Sequence, residues 1–277
     1  MVTSVERTGK VVRTVLGGRR AAVKRYDRAD TARFKCWGSG VRNEEIARRL
    51  LGDVVPRTLA TWTEGEAELA ALEWLEAAPF ASGAGAGHGL EAAGRLLGRI
   101  HAQRGKRCGS LDGSCAFEDH RSAFESRFRA GVGLLRGRDS ELADRVAGWA
   151  APRLAELGTD RPTALVHGDF GPANLLDQGE RLWVIDWEHA RWGDPQEDWA
   201  KIRLAARFPE PNGFGSDPAS LEPLERGWSE ETGCEPPRDP GFGALLEVYL
   251  AMCLGTFFAG EPNPRLSWLR SALDAER

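Results

Sequence analysis

Leu165-Val166-His167-Gly168-Asp169-Phe170-Gly171-Pro172-Ala173-Asn174-Leu175-Leu176, and the run Val184-Ile185-Asp186-Trp187-Glu188 that follows, decide how this chain is read. An apolar pair leads into a tight polar turn and a second apolar pair leads out of it. Asp186 comes twelve residues after Asn174. Two short strands joined by a brief turn, Asn174 to Leu176 and Leu182 to Ile185, would set Asn174 and Asp186 side by side. An amide oxygen beside a carboxylate suits Mg2+, a hard cation that keeps water and substrate phosphates as its remaining ligands. Asp169, five residues before the asparagine, lies on the turn and can accept a proton from an incoming hydroxyl. Phosphoryl transfer asks for that arrangement, because it depends on positioning and charge neutralisation.

The residues before this centre have a strand-like texture. Ser4 to Arg7, Val11 to Leu16 and Arg20 to Tyr26 read as strands, with Gly17-Gly18 as a hairpin turn that needs positive φ. Asn43 reads as the N-cap of an amphipathic helix running to Leu51. Val54 to Trp62 and Glu68 to Leu75 read as two further strands. The small, Gly-rich stretch 77–89 reads as a linker and contains no GxGxxG or GK[ST] phosphate loop. Helical periodicity follows in Leu90 to His101, Phe117 to Leu135 and Glu141 to Leu157. The expected division is therefore 1–76 as a sheet lobe, 77–89 as linker and 90–277 as a mostly helical lobe carrying the site.

Composition bounds the alternatives. The chain has 277 residues, 42% hydrophobic and 28% charged, with formal net charge -4, which is ordinary for a globular protein with a sizeable core. A mildly acidic chain gives no support to nonspecific binding of nucleic acid or membrane surfaces. The five cysteines, at 36, 108, 115, 234 and 253, form neither a CxxC metal set nor a disulfide pattern. The charged N-terminus lacks the apolar stretch of a signal peptide, and the run Leu245 to Phe258 contains Glu247 and is too short for a bilayer. A cytoplasmic protein is expected.

His167-x-Asp169-x-x-x-x-Asn174 followed by Ile185-Asp186-Trp187-Glu188 resembles the aminoglycoside phosphotransferase family, which shares the protein-kinase-like fold. Further segments agree in order along nearly the whole chain. Ala22-Val23-Lys24 resembles the third-strand lysine that contacts the nucleotide phosphates, and Glu44 the helix glutamate paired with it, although Glu45 is adjacent. Leu72-Glu73-Trp74-Leu75 resembles the hinge that meets the base. Leu97-Gly98-Arg99-Ile100-His101-Ala102 resembles a family helix, and Gly193-Asp194-Pro195 with Asp198 the segment that braces the catalytic loop. The phosphate-covering loop would be the short Arg7-Thr8-Gly9-Lys10; that form, and Trp187 after Asp186, argue against a protein kinase.

The resemblance implies an α+β, two-lobe fold and an enzyme that moves the γ-phosphate of ATP or GTP to a small-molecule hydroxyl. Asp169 is the expected base, Asn174 and Asp186 the Mg2+ ligands, and Lys24, Glu44, Glu73, Leu75, Thr8 and Gly9 the nucleotide contacts. His167 and Asp198 would support the turn; His101 reads as a packing residue. Residues 209–239 hold 8 acidic and 2 basic residues, against 9 and 14 in residues 1–72. That division suggests a cationic acceptor, an aminoglycoside or a basic peptide such as a tuberactinomycin, with Glu230 and Glu231 as candidate contacts. Choline, homoserine or sugar kinases are the alternatives within the superfamily, and a catalytically inactive nucleotide-binding module is the alternative outside enzymes. Monomer and dimer are both open.

Overall fold

The computed structural model describes residues 6–8, 11–27, 38–80, 89–179, 181–208, 213–214, 218–257 and 263–275. Gly9, Lys10, Cys36 and most of the expected linker lie outside them, and of Thr8 only the backbone is described.

A five-stranded antiparallel sheet, in the order β1-β2-β3-β5-β4, forms the small lobe from β1 (Glu6–Thr8), β2 (Val11–Leu16), β3 (Arg19–Asp27), β4 (Thr58–Glu64) and β5 (Ala67–Glu73). Gly17 and Gly18, at φ +56° and +81°, close the β2–β3 hairpin with Leu16 opposite Arg19, the positive-φ pair that a two-residue turn requires. Alternate residues of a strand share a face, so Lys24 and Tyr26 point together and both are buried. Helix α1 (Gly40–Leu51) packs beneath that face, Val41 joining Tyr26, Ala70 and Leu72 in a small core.

Helix α1 starts earlier than its sequence suggests. Ser39 is the N-cap, its Oγ accepting from Arg42 N at 3.2 Å. Asn43 is instead fully buried inside the helix, where its Nδ2 donates to the carbonyls of Glu188 and Ala190. A tertiary partner 145 positions away thus takes the side chain that would otherwise cap.

The larger lobe is mostly helical. Helix α2 (Leu90–His101) lies against an apolar cluster with the strands of the central turn region, while α3 (His120–Arg136) and α4 (Ser140–Glu156) build a second cluster. Between them, β7 (Cys108–Ser110), β8 (Ala116–Phe117), β9 (Ala164–Val166) and β12 (Arg191–Gly193) form a four-stranded sheet. The hairpin β10 (Leu175–Asp177) and β11 (Leu182–Val184) forms another sheet with β6 (Ala78–Pro79). Part of the expected linker is therefore a strand bound to the larger lobe, with Leu176 opposite Pro79.

Four more helices complete the lobe: α5 (Gln196–Arg207), α6 (Glu222–Thr232), α7 (Pro240–Phe257) and α8 (Pro264–Ala275). The apolar run that contains Glu247 forms much of α7, with Leu245, Leu246, Ala251 and Met252 buried in the second cluster or beside it. Among the described residues, no helix is long and apolar enough to cross a membrane. Helices α2 and α6 cross at close range: a Cβ on Gly94 would lie 2.0 Å from the Leu224 carbonyl, and one on Gly227 at 2.0 Å from that of Glu91. Larger side chains there would push α6 away from α2.

Candidate active site

The turn after β9 carries Asp169. Gly168 sits at φ +79°, and a Cβ there would come within 2.6 Å of both Arg191 Nη1 and the His189 carbonyl. Glycine alone lets the chain turn so sharply against that packed segment. Asp169 N donates to His167 Nδ1 at 3.1 Å, and His167 Nε2 lies 3.1 Å from the Ile185 carbonyl. Since Nδ1 accepts, the proton is on Nε2, which donates to Ile185. Burial holds the imidazole pKa below its ordinary value against the pull of Asp198 and Asp169. His167 is thus a neutral brace between the turn and the β11 exit, and its ring stacks edge-on to Trp187 at 4.6 Å.

Asp198, in the first turn of α5, accepts from His167 N at 2.9 Å and Gly168 N at 2.7 Å. It also accepts from His101 Nε2 at 3.1 Å, while Trp228 Nε1 donates to His101 Nδ1 at 3.0 Å. Burial opposes the Asp198 charge, yet the hydrogen bond from His101 helps hold its pKa below the usual carboxylate range. His101 therefore does more than pack: it links α6 to the residue that shapes the turn. The sequence carries its only hint in the His101-Ala102 end of α2.

Asn174 ends a single 3-10 turn that Pro172 begins. Its Nδ2 donates to the Asp169 carbonyl at 2.8 Å and to Asp169 Oδ2 at 3.0 Å. Pairing of Leu175 with Val184, and the bond from Ile185 N to the Asn174 carbonyl at 3.0 Å, carry Asn174 and Asp186 to the same end of the hairpin. Asp186 has φ 69° and ψ 58°, the left-handed region, and is the one non-glycine residue with positive φ among those described. Asp tolerates this region better than most side chains.

Lys24 joins the site from the small lobe. Its ammonium pairs with Asp186 Oδ1, lies 3.3 Å from Glu188 Oε2 and 3.9 Å from Glu44 Oε1, and sits over the Tyr26 ring. Burial works against the lysine charge, but the carboxylates of Asp186, Glu44 and Glu188 outweigh it and raise its pKa. Glu44, fully buried, also accepts from Tyr26 Oη at 3.0 Å and Trp187 N at 3.2 Å. Burial raises its pKa despite Lys24. Glu45 is half-buried, so the helix glutamate facing Lys24 is Glu44. Trp187, which follows Asp186, is fully buried and donates from Nε1 to the Val184 carbonyl. It belongs to the core.

The remaining expected positions divide. Glu73 is clamped by Arg57, whose N and Nε each donate to its carboxylate at 2.8 Å, and Leu75 lies half-buried just past β5. Glu230 pairs with Arg95 at 2.8 Å, and Glu231 lies against Gly98. Both thus contact α2, and the structure does not bring them to Asp169, Asn174 or Asp186. The acidic segment is extensively paired: Glu222 with Arg226, Glu225 with Arg203 and Arg238, and Asp239 with Arg161.

Glu188 and Lys201 contribute to the site without standing out in the sequence. Lys201 Nζ pairs with Asp169 Oδ1. Among the described residues no cluster of three or more His, Cys, Asp and Glu has a metal-holding arrangement. The Asn174–Asp186 pair can still hold Mg2+ in the two-ligand manner that relies on substrate phosphates. Its fit rests on the asparagine: Nδ2 is committed to Asp169, which fixes the amide orientation and leaves Oδ1 on the opposite side.

Residues 8–236 match the profile of the APH phosphotransferase enzyme family. The chain belongs to this family. A curated relative, Protein StrN of Streptomyces griseus, is 39% identical over 80 residues, covering 29% of this chain and 21% of its own. The chain thus spans about a fifth of that relative's length. In fold, it is similar to a putative fructosamine-3-kinase from Haemophilus somnus, with TM-score 0.70 and 13% identity over 99% of this chain and 91% of that one. It is also similar to an aminoglycoside phosphotransferase from Streptomyces rimosus solved with ADP and streptomycin, with TM-score 0.56 and 19% identity over 87% and 90% of the two chains. These likenesses agree with the family's two-lobe, kinase-like fold.

Proposed function

We propose that this member of the family transfers the γ-phosphate of ATP or GTP to a hydroxyl of a small molecule. The observation that carries the reading is the convergence of Lys24, from the small lobe, on Asp186 of the hairpin that also presents Asn174, which is itself bonded to Asp169. In the step proposed, Asp169 takes the proton of the acceptor hydroxyl as its oxygen attacks the γ-phosphorus. The bond from that phosphorus to the β,γ-bridging oxygen breaks, and the nucleoside diphosphate leaves. Lys24, steadied by Glu44, holds phosphate oxygens. Asn174 Oδ1 and the Asp186 carboxylate would hold Mg2+, which supplies charge neutralisation on the phosphates. Asp198 and His167 keep the turn in shape.

For the acceptor we propose a cationic antibiotic, on the acidic excess of residues 209–239 and the likeness to an enzyme solved with streptomycin. A metabolic small-molecule kinase is the second reading, and the fructosamine-3-kinase likeness favours it. Nucleotide consumption across aminoglycosides, tuberactinomycin-type peptides, macrolides, choline, homoserine and sugars, with product mass, distinguishes the two. A product heavier by one phosphoryl group is expected with wild type and none with Asp169→Asn, which still binds nucleotide. An Asp169→Asn protein that turns over normally would remove Asp169 from the role of base.

A further inference from the structure

Asp198 and Lys201 are three residues apart on α5, a spacing that puts both on one helix face. Each grips the turn that carries the proposed base, but from opposite ends. Asp198 takes the N–H groups of His167 and Gly168. Lys201 lies 3.4 Å from the Gly168 carbonyl and pairs with Asp169 Oδ1. The other carboxylate oxygen of Asp169 accepts from Asn174. The side chain is therefore held by an amide on one oxygen and an ammonium on the other.

Burial also lowers the pKa of both histidines near Asp169, and that of His189 falls to about 4. With those rings neutral, the positive charge in contact with Asp169 is that of Lys201. Asp186 and Glu188, on the adjoining hairpin exit, are carboxylates that already take Lys24 as their own cation. A nucleotide would add further negative charge. An unbalanced carboxylate would be driven away from that position, since like charges at short range repel strongly where water is scarce. The Lys201 side chain remains 23% exposed and that of Asp169 35%, so the pair is within reach of a molecule arriving from solvent.

We propose that Lys201 is a positioning residue for phosphoryl transfer, holding the Asp169 carboxylate in the orientation from which it meets the acceptor oxygen. The inference rests on the phosphotransferase reading above. It assigns to the lysine a requirement of the chemical step and not of nucleotide binding, whose contacts come from Lys24 and the hairpin.

The test compares Lys201→Met, Lys201→Gln and Lys201→Arg with wild type and Asp169→Asn. The probe is MgATP, with ADP release followed with kanamycin as acceptor and with water alone, alongside MgATP affinity by calorimetry and thermal melting. Lys201→Met and Lys201→Gln are expected to lose about 100-fold in kcat, the scale of a misplaced reacting group. The KM and affinity for MgATP should stay within about threefold, with Lys201→Arg recovering most of the loss. Should Lys201→Met not fold, Lys201→Gln is read by the same measures. The proposal is overturned if both neutral variants keep kcat within about threefold of wild type while Asp169→Asn is inactive. It is equally overturned if kcat, MgATP affinity and melting temperature fall together in all three variants, Lys201→Arg included. A wild-type protein that releases no ADP with kanamycin, with water or with any other acceptor of the screen above, or an Asp169→Asn variant as active as wild type, refutes the parent reading and this proposal with it.

Discussion

His101 and Asp198, 97 positions apart, meet at 3.1 Å in the interior of the larger lobe, where neither side chain is more than 1% exposed. Asp198 in turn holds the two N–H groups that shape the Asp169 turn, so a helix remote in sequence sets the geometry of the proposed base. His101→Ala removes one partner from a buried carboxylate and leaves Trp228 Nε1 without its acceptor. A loss of about 1–3 kcal/mol is expected, or roughly 2–4 °C of melting temperature per kcal/mol for a chain of this size, together with lower kcat. An unchanged melting temperature and rate would show that the contact does not brace the turn.

Lys24 balances three carboxylates, and the balance is testable apart from turnover. Lys24→Met leaves Glu44 buried with no cation beside it, and its Oε2 already has no hydrogen-bond partner among the described residues. Breaking a buried pair in this way costs about 3–5 kcal/mol. The double variant with Glu44→Gln should recover part of that stability while remaining without activity. Denaturant melts of the single and double variants decide the matter; a double variant weaker than Lys24→Met itself would refute the coupling.

Asp186→Asn weakens the Lys24 pair as well, so the proposed metal role is read from the Mg2+ dependence of nucleotide affinity. Calorimetry with and without Mg2+ should show the nucleotide affinity of wild type rising with the metal, and the variant losing most of that increment. An intact Mg2+ increment in Asp186→Asn would move the metal away from this hairpin.

Stability should fall on acidification in two separate windows. Burial depresses the pKa values of His120 and His167 from 6.5, so the unfolded chain binds protons there before the folded one does. Their contribution is complete above about pH 6.5 and fades as pH drops below it. Glu197 lies lower: burial opposes its charge, but Arg127 and Arg191 overcome that and hold its pKa far below 4.5. Its share persists above the ordinary glutamate range and is lost only in strong acid. Thermal melts from pH 8 to 5 should decline, and His120→Asn should flatten that decline. A decline of the same slope in the variant would take His120 out of the account.

The small-lobe strands, the helices of the larger lobe and the Asp169–Asn174–Asp186 constellation are legible in sequence because each depends on neighbours within a dozen or so residues. Strand alternation fixes Lys24 and Tyr26 on one face, and the Gly17-Gly18 turn fixes their hairpin. The misreadings arise where distant partners intervene. Asn43 has the chemistry of a cap, but carbonyls at Glu188 and Ala190 take its amide. Nothing in the sequence singles out Lys201, whose contact with Asp169 exists only once α5 is laid against the Asp169 turn. The acidic excess at 209–239 similarly reads as one charged segment, although arginines within it and outside it, Arg95 and Arg203 from other helices among them, answer several of its carboxylates.

The short strand Ala78–Pro79, bonded to Leu176 and Asp177, has a mechanical consequence. Phe80 N adds a bond to the Leu175 carbonyl at 3.0 Å, so the connection between lobes is anchored immediately beside Asn174. On the other side, Glu73 and Trp74 are tied into the sheet through Arg57 and Arg20. Any pivot is confined to the few peptides around Leu75 to Ala77. Rotation there would swing Lys24 toward or away from Asp186 while Asn174 and Asp186 keep their mutual spacing, since both ride on the anchored hairpin. Cleft opening would thus loosen the proposed grip of Lys24 on phosphate without separating Asn174 from Asp186, the proposed metal ligands.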